Sequence, residues 1–244
     1  MSRTDLWRRL LAEWLGSALL AAVVIGSGIA AQRLSPGQIG LELFENAAAT
    51  AAGLYVLILM FAPLSGAHFN PVVSFVDAAF GGTRWRTALV YLPAQVAGCV
   101  CGAALANLMF SRSAISISDH HRATGGHFLS EVVATTGLIL VIFCLTRSRN
   151  IAVVAAAVGA YIGAGYFFTS STSFANPAIT IGRMFSNTFA GIAPSSAPSF
   201  IVAQILGGVV AFGLIRVLYP RPEPEPSPQN QPTPTRPGSL EEVA

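Results

Sequence analysis

Six long apolar runs, separated by short polar stretches, set the pattern of this 244-residue chain. They cover roughly Leu10–Ala31, Leu41–Ala62, Thr87–Phe110, Phe128–Thr146, Ile151–Phe168 and Ser199–Tyr219. Each is about long enough to cross ~30 Å of hydrocarbon at ~1.5 Å per residue. Lipid offers no water to satisfy backbone polar groups, so each run is expected to be a helix. Two more apolar segments are too short to span: SGAHFNPVVSFVDAAF at Ser65–Phe80 and TSFANPAITIGRMF at Thr172–Phe185. Both carry Asn-Pro near the middle. Asn is a favoured N-cap, and Pro is favoured at the first helical position, where its missing N–H costs nothing. Asn70-Pro71 and Asn176-Pro177 are therefore expected to start two half-helices.

The half-helices follow the second and fifth runs, and the polar residues around them recur in the same order. Glu13 in the first run answers Glu131 in the fourth, and Gln95 in the third answers Gln204 in the sixth. The offsets are 118, 106 and 109 residues for the Glu, Asn and Gln pairs, so order is kept while connections vary. Three spans per copy is an odd number, which turns the second copy (about 127–219) upside down relative to the first (about 8–110). The half-helices then dip in from opposite faces and meet near the midplane. The expected fold is all-α and membrane-integral: six transmembrane helices plus two re-entrant half-helices in an inverted repeat over residues 1–219.

Composition supports this class. Only 10% of residues are charged and 53% are hydrophobic, too few charges to cover a soluble domain of this length. All 14 basic residues are Arg and lie mostly between the apolar runs, which reports orientation rather than a nucleic-acid partner. Arg3, Arg8, Arg9, Arg84, Arg86, Arg147, Arg149, Arg216, Arg221 and Arg236 fall on the side of the termini, against Arg33, Arg112 and Arg122 on the other. The positive-inside rule makes both termini cytoplasmic, as expected for a multi-pass protein of the cell membrane. Residues 220–244 are expected to form a disordered cytoplasmic tail, since eight of the chain's fifteen prolines lie between Pro220 and Pro237. Cys99, Cys101 and Cys144 all lie inside apolar runs and are expected to be buried free thiols.

Two helix N-termini meeting at the membrane centre place partial positive charge there and oppose cations. Capping Asn70 and Asn176 can offer amide N–H donors to a passing oxygen, which orients water and breaks a proton wire. The physics points to a pore for small neutral polar solutes, with no catalytic step and no cofactor or metal. The chain resembles the major intrinsic protein family of aquaporins and aquaglyceroporins over residues 8–219. The resemblance rests on SGAHFNPVVS at Ser65–Ser74, ANPA at Ala175–Ala178, Glu13, Glu131, Gln95 and Gln204. It implies central pore motifs at Asn70, Pro71, Val72 and Asn176, Pro177, Ala178, and a homotetramer with one pore per subunit.

Two departures from the family pattern stand out. Val72 replaces Ala in the first motif, and Ile179 stands where the family usually has Arg after Asn-Pro-Ala. By the family's spacing, the constriction would comprise Thr50, Gly163 or Ala164, Ser173 and Ile179. None is charged, aromatic or His, which implies a wide filter unlike the His/Arg type of water-selective members or the aromatic/Arg type of glycerol channels. It resembles bacterial members found with arsenic resistance, which pass neutral trivalent arsenic. Arg183, one turn beyond Ile179, either supplies the missing charge at the outer pore or, as favoured, snorkels to the interface and caps carbonyls. Glu13 and Glu131 are expected to hold the non-helical backbone before each half-helix rather than relay protons. His68 either tethers its loop, the favoured reading, or gates the pore by protonation. His120 and His121, with His127 nearby, are expected in a solvated extracellular loop without metal.

The expected function is a passive channel for glycerol-like polyols, neutral metalloid hydroxides such as arsenite, and water. The alternatives are a coupled secondary transporter on an inverted repeat and a non-conducting structural membrane protein.

Overall fold

Every element among the described residues, 3–147 and 151–220 of the computed structural model, is a helix. In chain order they are α1 (Arg3–Leu34), α2 (Ile39–Ser65), α3 (Pro71–Ala79), α4 (Trp85–Met109), α5 (Gly125–Arg147), α6 (Ile151–Phe168), α7 (Pro177–Arg183) and α8 (Ala197–Leu218). Among the described residues α1, α2, α4, α5 and α8 are long and apolar enough to cross a membrane, and α6 is a shorter apolar helix of 18 residues. α1 starts at Arg3 rather than near Leu10, because helix continues through the charged turns that precede the apolar run. α3 and α7 are the two half-helices. The proline-rich tail expected beyond Pro220 lies outside the described residues.

The polarity is that of a protein solvated by lipid. Large side chains such as Leu59, Met60, Phe167, Val209 and Val217 are exposed, while Glu13, Gln95, Glu131 and Gln204 are fully buried. Polar groups inside an apolar exterior suit a bilayer, where the interior must satisfy its own hydrogen bonds.

Packing repeats between the two halves. α1 lies against α2 and α4, and α5 lies against α6 and α8. Close approach comes from glycine in both central pairs. A Cβ on Gly98 or Gly102 of α4 would run into the Trp14 or Ala18 carbonyl of α1, and one on Gly207 of α8 would stand 2.6 Å from the Val132 carbonyl of α5. Such small-residue seams let helices approach without a hydrophobic driving force between them. α3 and α7 sit against α4 and α8 and touch each other, which brings their N-termini together inside the bundle.

The cysteine expectation needs correction. Cys99 is buried beside the Ser17 carbonyl, but Cys101 is exposed and Cys144 is half-buried. Cys99 and Cys101, two positions apart on α4, face different ways, so an apolar run alone does not bury both. All three are free.

Candidate functional site

The chain reaches each half-helix through a short left-handed passage. Ala67 and Ser173, three residues before each Asn, have φ of 51° and 51°, and Phe69 and Ala175, one residue before, have φ of 49° and 49°. Left-handed backbone at a residue with a side chain costs roughly 1–3 kcal/mol and persists only where the surroundings fix it. Two buried carboxylates supply that fixation. Glu13 accepts from the backbone N–H groups of His68 (3.0 Å) and Phe69 (2.7 Å), from the Ser65 hydroxyl (2.6 Å) and from the Gln95 amide (2.7 Å). Glu131 accepts from the N–H groups of Phe174 and Ala175, both at 2.9 Å, and from the Gln204 amide at 2.6 Å. Both are engaged behind the strained loops, away from the cavity they enclose.

At the midplane the two repeats are cross-tied. Asn70 caps α3 by accepting from the Val72 N–H at 2.9 Å, and its amide donates to the Ala175 carbonyl at 2.7 Å. Asn176 caps α7 by accepting from Ala178 N–H at 2.9 Å and Ile179 N–H at 3.3 Å, and donates to the Phe69 carbonyl at 2.8 Å. Pro71 and Pro177 open the two helices and are buried. Val72 is accommodated by Gly208, since a Cβ there would meet Val72 Cγ1 at 2.5 Å. Ala178 is fully buried behind Asn176. Each Asn amide has two N–H groups, and the cross-tie fixes the amide plane while using one.

Asn70 and Asn176 both line a narrow cavity of about 70 Å³. Its wall has two characters. Leu20, Val24, Leu54, Val73, Val158 and Ile162 line it with apolar side chains, while Asn70, Asn176, Thr50, Ser173, Tyr166 and Arg183 bring polar atoms. Of the positions expected at the constriction, Thr50, Ser173 and Ile179 line it. Gly163 and Ala164 do not. Gly163 packs towards Ala51 of α2, and Ala164 is exposed on the outer surface. α6 instead contributes Val158, Ile162 and Tyr166, a stripe at spacing four. Tyr166 is buried, with its hydroxyl 3.1 Å from that of Thr50. Ser173 Oγ is buried with no hydrogen-bond partner in the protein.

Arg183 also corrects the expectation. It is 2% exposed, lines the cavity, and lies with its guanidinium carbon 3.4 Å from the centre of the Phe174 ring. Its Nε donates to the Ala190 carbonyl. It does not snorkel, because residues 186–196 fold back over α7 and present that carbonyl inside the bundle. The wall thus includes a cation and, near it, the rings of Tyr166 and Phe174, contrary to the uncharged, wide filter inferred from spacing. Phe174 and Tyr166 were missed in the sequence. The repeat of Val158, Ile162 and Tyr166 is the signal that would have found the tyrosine.

At the other end the cavity meets a wider one of about 670 Å³, and His68, Ala67, Val73 and Ile142 line both. His68 Nδ1 lies 3.0 Å from the Ser74 hydroxyl, its Nε2 lies 3.7 Å from Asp77 Oδ2, and its ring stands edge-on to Tyr91. These partners lie on α3 and α4. In the loop before α5, His121 Nδ1 reaches Ser195 Oγ at 3.3 Å and the His120 carbonyl accepts from Ala193 N–H, while His127 stands in the first turn of α5 rather than in the loop, its Nδ1 2.8 Å from the Thr124 hydroxyl. Among the described residues no three His, Cys, Asp or Glu side chains converge as a metal site. Arg122 in the same loop is half-buried, and burial pushes its guanidinium below the usual range, offset in part by Tyr166 and Glu131.

Comparison with known proteins places this arrangement. The family model described as Major intrinsic protein matches residues 1–173 and 147–237. The chain is 47% identical over 218 residues to the aquaglyceroporin AqpS of Rhizobium meliloti, covering 89% of this chain and 93% of that protein. It is 32% identical over 262 aligned positions to the glycerol uptake facilitator protein of Pseudomonas aeruginosa, covering 89% and 90%. Among solved structures, the X-ray structure of the aquaglyceroporin from Plasmodium falciparum has the same fold, with a TM-score of 0.69 at 24% identity over 88% of this chain and 98% of that one. Two capped half-helices meeting inside an inverted helical repeat, and a family match across both repeats, make this multi-pass membrane protein a member of the major intrinsic protein family.

Proposed function

We propose that the protein is a passive transmembrane channel for small uncharged polar solutes, with glycerol-like polyols as its first substrates. The observation that carries this reading is the mixed lining of the cavity, where Asn70, Asn176, Ser173 and Arg183 bring polar atoms among aliphatic side chains such as Leu20, Val24, Leu54 and Ile162. A polyol can give its hydroxyls to the polar atoms and its carbon edge to the apolar ones. An ion loses its hydration to the apolar side chains without recovering it, which excludes it. Cations also meet the Arg183 charge. The N–H donors of Asn70 and Asn176 orient a water oxygen from one direction, which interrupts proton hopping.

The names of AqpS and of the glycerol uptake facilitator point the same way for their own proteins. Neutral arsenic hydroxides share the size and the hydroxyl edge of a polyol and are proposed as second substrates, with water as a third. The filter consists of Thr50, Tyr166, Ser173, Ile179 and Arg183. The channel body covers residues 1–219 of a homotetramer in the plasma membrane. Both termini are cytoplasmic, on the strength of the arginine distribution. Transport needs no chemistry and no coupling ion: neither Glu13 nor Glu131 lines the cavity, and both are engaged by backbone and glutamine amides.

Stopped-flow light scattering on reconstituted vesicles tests the proposal. Glycerol and arsenite phases faster than in protein-free vesicles are expected. Rapid water flow with both solutes excluded would overturn the polyol reading.

A further inference from the structure

The Arg183 guanidinium depends on a carbonyl that belongs to no regular element. Ala190 lies in the irregular segment between α7 and α8, and its neighbours are held from outside the cavity. Arg122 donates from Nε to the Gly191 carbonyl at 3.0 Å and from an Nη to the Phe189 carbonyl at 3.1 Å. Three consecutive carbonyls, 189 to 191, therefore accept from two guanidinium groups, the middle one from Arg183. Both groups also stand over one ring, with the Arg122 carbon 5.5 Å and the Arg183 carbon 3.4 Å from the Phe174 centre. Arg122 is itself anchored, its backbone N–H donating to the Ser196 hydroxyl at the start of α8 at 3.0 Å. Alongside it, the His120 carbonyl accepts from Ala193 N–H at 2.8 Å. Arg122 is not among the residues lining the cavity.

We propose that Arg122 is a positioning residue for the filter: it fixes the carbonyl and the ring that orient Arg183, and so sets solute discrimination from outside the pore. The inference rests on the reading of Arg183 as part of the filter. Charge-assisted hydrogen bonds from a planar fork are stronger and more directional than neutral ones, which suits a guanidinium to holding two carbonyls at fixed spacing. Without it the Phe189 and Gly191 carbonyls lose their side-chain donor, and the Ala190 carbonyl between them loses that support. Arg183, buried with no carboxylate among its hydrogen-bond partners, then changes position in the wall.

The test compares full-length channels carrying Arg122→Ala, Arg122→Gln, Arg183→Ala and the double substitution Arg122→Ala with Arg183→Ala. The readout is the ratio of glycerol permeability to that of a four-carbon polyol, together with proton leak, both normalised to reconstituted protein. Arg122→Ala should move the ratio in the same direction as Arg183→Ala, by about threefold, the size of one net hydrogen bond. In the Arg183→Ala background it should add nothing. Where the alanine variant does not insert, Arg122→Gln carries the test, since it keeps a donor but loses the charge and the fork. An unchanged ratio with less folded protein, or equal shifts in both backgrounds, overturns the positioning role. If Arg183→Ala itself leaves the ratio alone, the filter reading fails and the positioning role falls with it. If Arg183→Ala shifts the ratio and neither Arg122 variant does, the positioning role alone fails.

Discussion

Ile179 and Arg183 stand one turn apart on α7, and both line the central cavity. The position directly after the second Asn-Pro-Ala is aliphatic, and the cation sits ~6 Å further along the helix axis. There it is held by the Ala190 carbonyl and the Phe174 ring rather than by a headgroup. On the proposed filter, the charge sits one turn beyond Ile179 rather than directly after the motif.

That position predicts a separable effect on large solutes. Arg183→Ala should speed four-carbon polyols relative to glycerol and raise proton leak, because it removes both volume and charge from the wall. Ile179→Arg should do the reverse and slow polyols more than water. Light-scattering rates for a series of solutes check both. An unchanged ranking with reduced expression is the outcome expected if Arg183 serves stability alone.

Charge at the midplane is the second lever. Asn70→Asp or Asn176→Asp replaces a donor amide with a carboxylate, removing the cross-tie to Ala175 or Phe69 and attracting cations. Cation or proton conductance should appear in either variant and be absent from the parent. It is read with a pH-sensitive dye trapped in vesicles.

The buried carboxylates predict a stability difference. Glu131→Ala leaves the Phe174 and Ala175 N–H groups and the Gln204 amide without their acceptor. Each unsatisfied buried group costs about 1–3 kcal/mol, so the variant should lose several kcal/mol and fail to accumulate. Glu131→Gln keeps one acceptor oxygen and should lose less. Thermal unfolding in detergent, followed by circular dichroism, measures the order.

Much of this was legible in the sequence. Asn-Pro followed by a short apolar segment marks each half-helix by capping chemistry alone, and the spacing of Glu13, Gln95, Glu131 and Gln204 reveals the repeat. The register of α6 was not legible in the same way. Spacing from the family pattern pointed to Gly163 and Ala164, but packing against Ala51 of α2 turns Gly163 aside and leaves Val158, Ile162 and Tyr166 on the cavity. Arg183 was misjudged for a different reason. A cation at a helix end normally reaches water, and what prevents this here is the fold-back of residues 186–196, whose irregular sequence has no period to read. The role of Arg122 has no local sequence signal, because its partners are backbone carbonyls at separations of 67 and 69 residues.

Val72 and Gly208 offer a packing test independent of transport. Gly208→Ala should clash with Val72 Cγ1 and destabilise by about 1–3 kcal/mol, as overpacking does. Val72→Ala in the same chain should relieve the clash, so that the two substitutions together cost less than their sum. Additive losses in a thermal-unfolding cycle would contradict the contact.

The central claim is that neutral solute passes while protons do not, with no driving ion. The most direct measurement records glycerol entry and internal pH together, in vesicles carrying the parent protein under an imposed membrane potential and no ion gradient other than the one setting it. Glycerol equilibrating well above the protein-free rate, with the trapped dye unchanged, is the predicted result. Glycerol entry that requires an ion gradient, or a dye signal that tracks the potential, would contradict it.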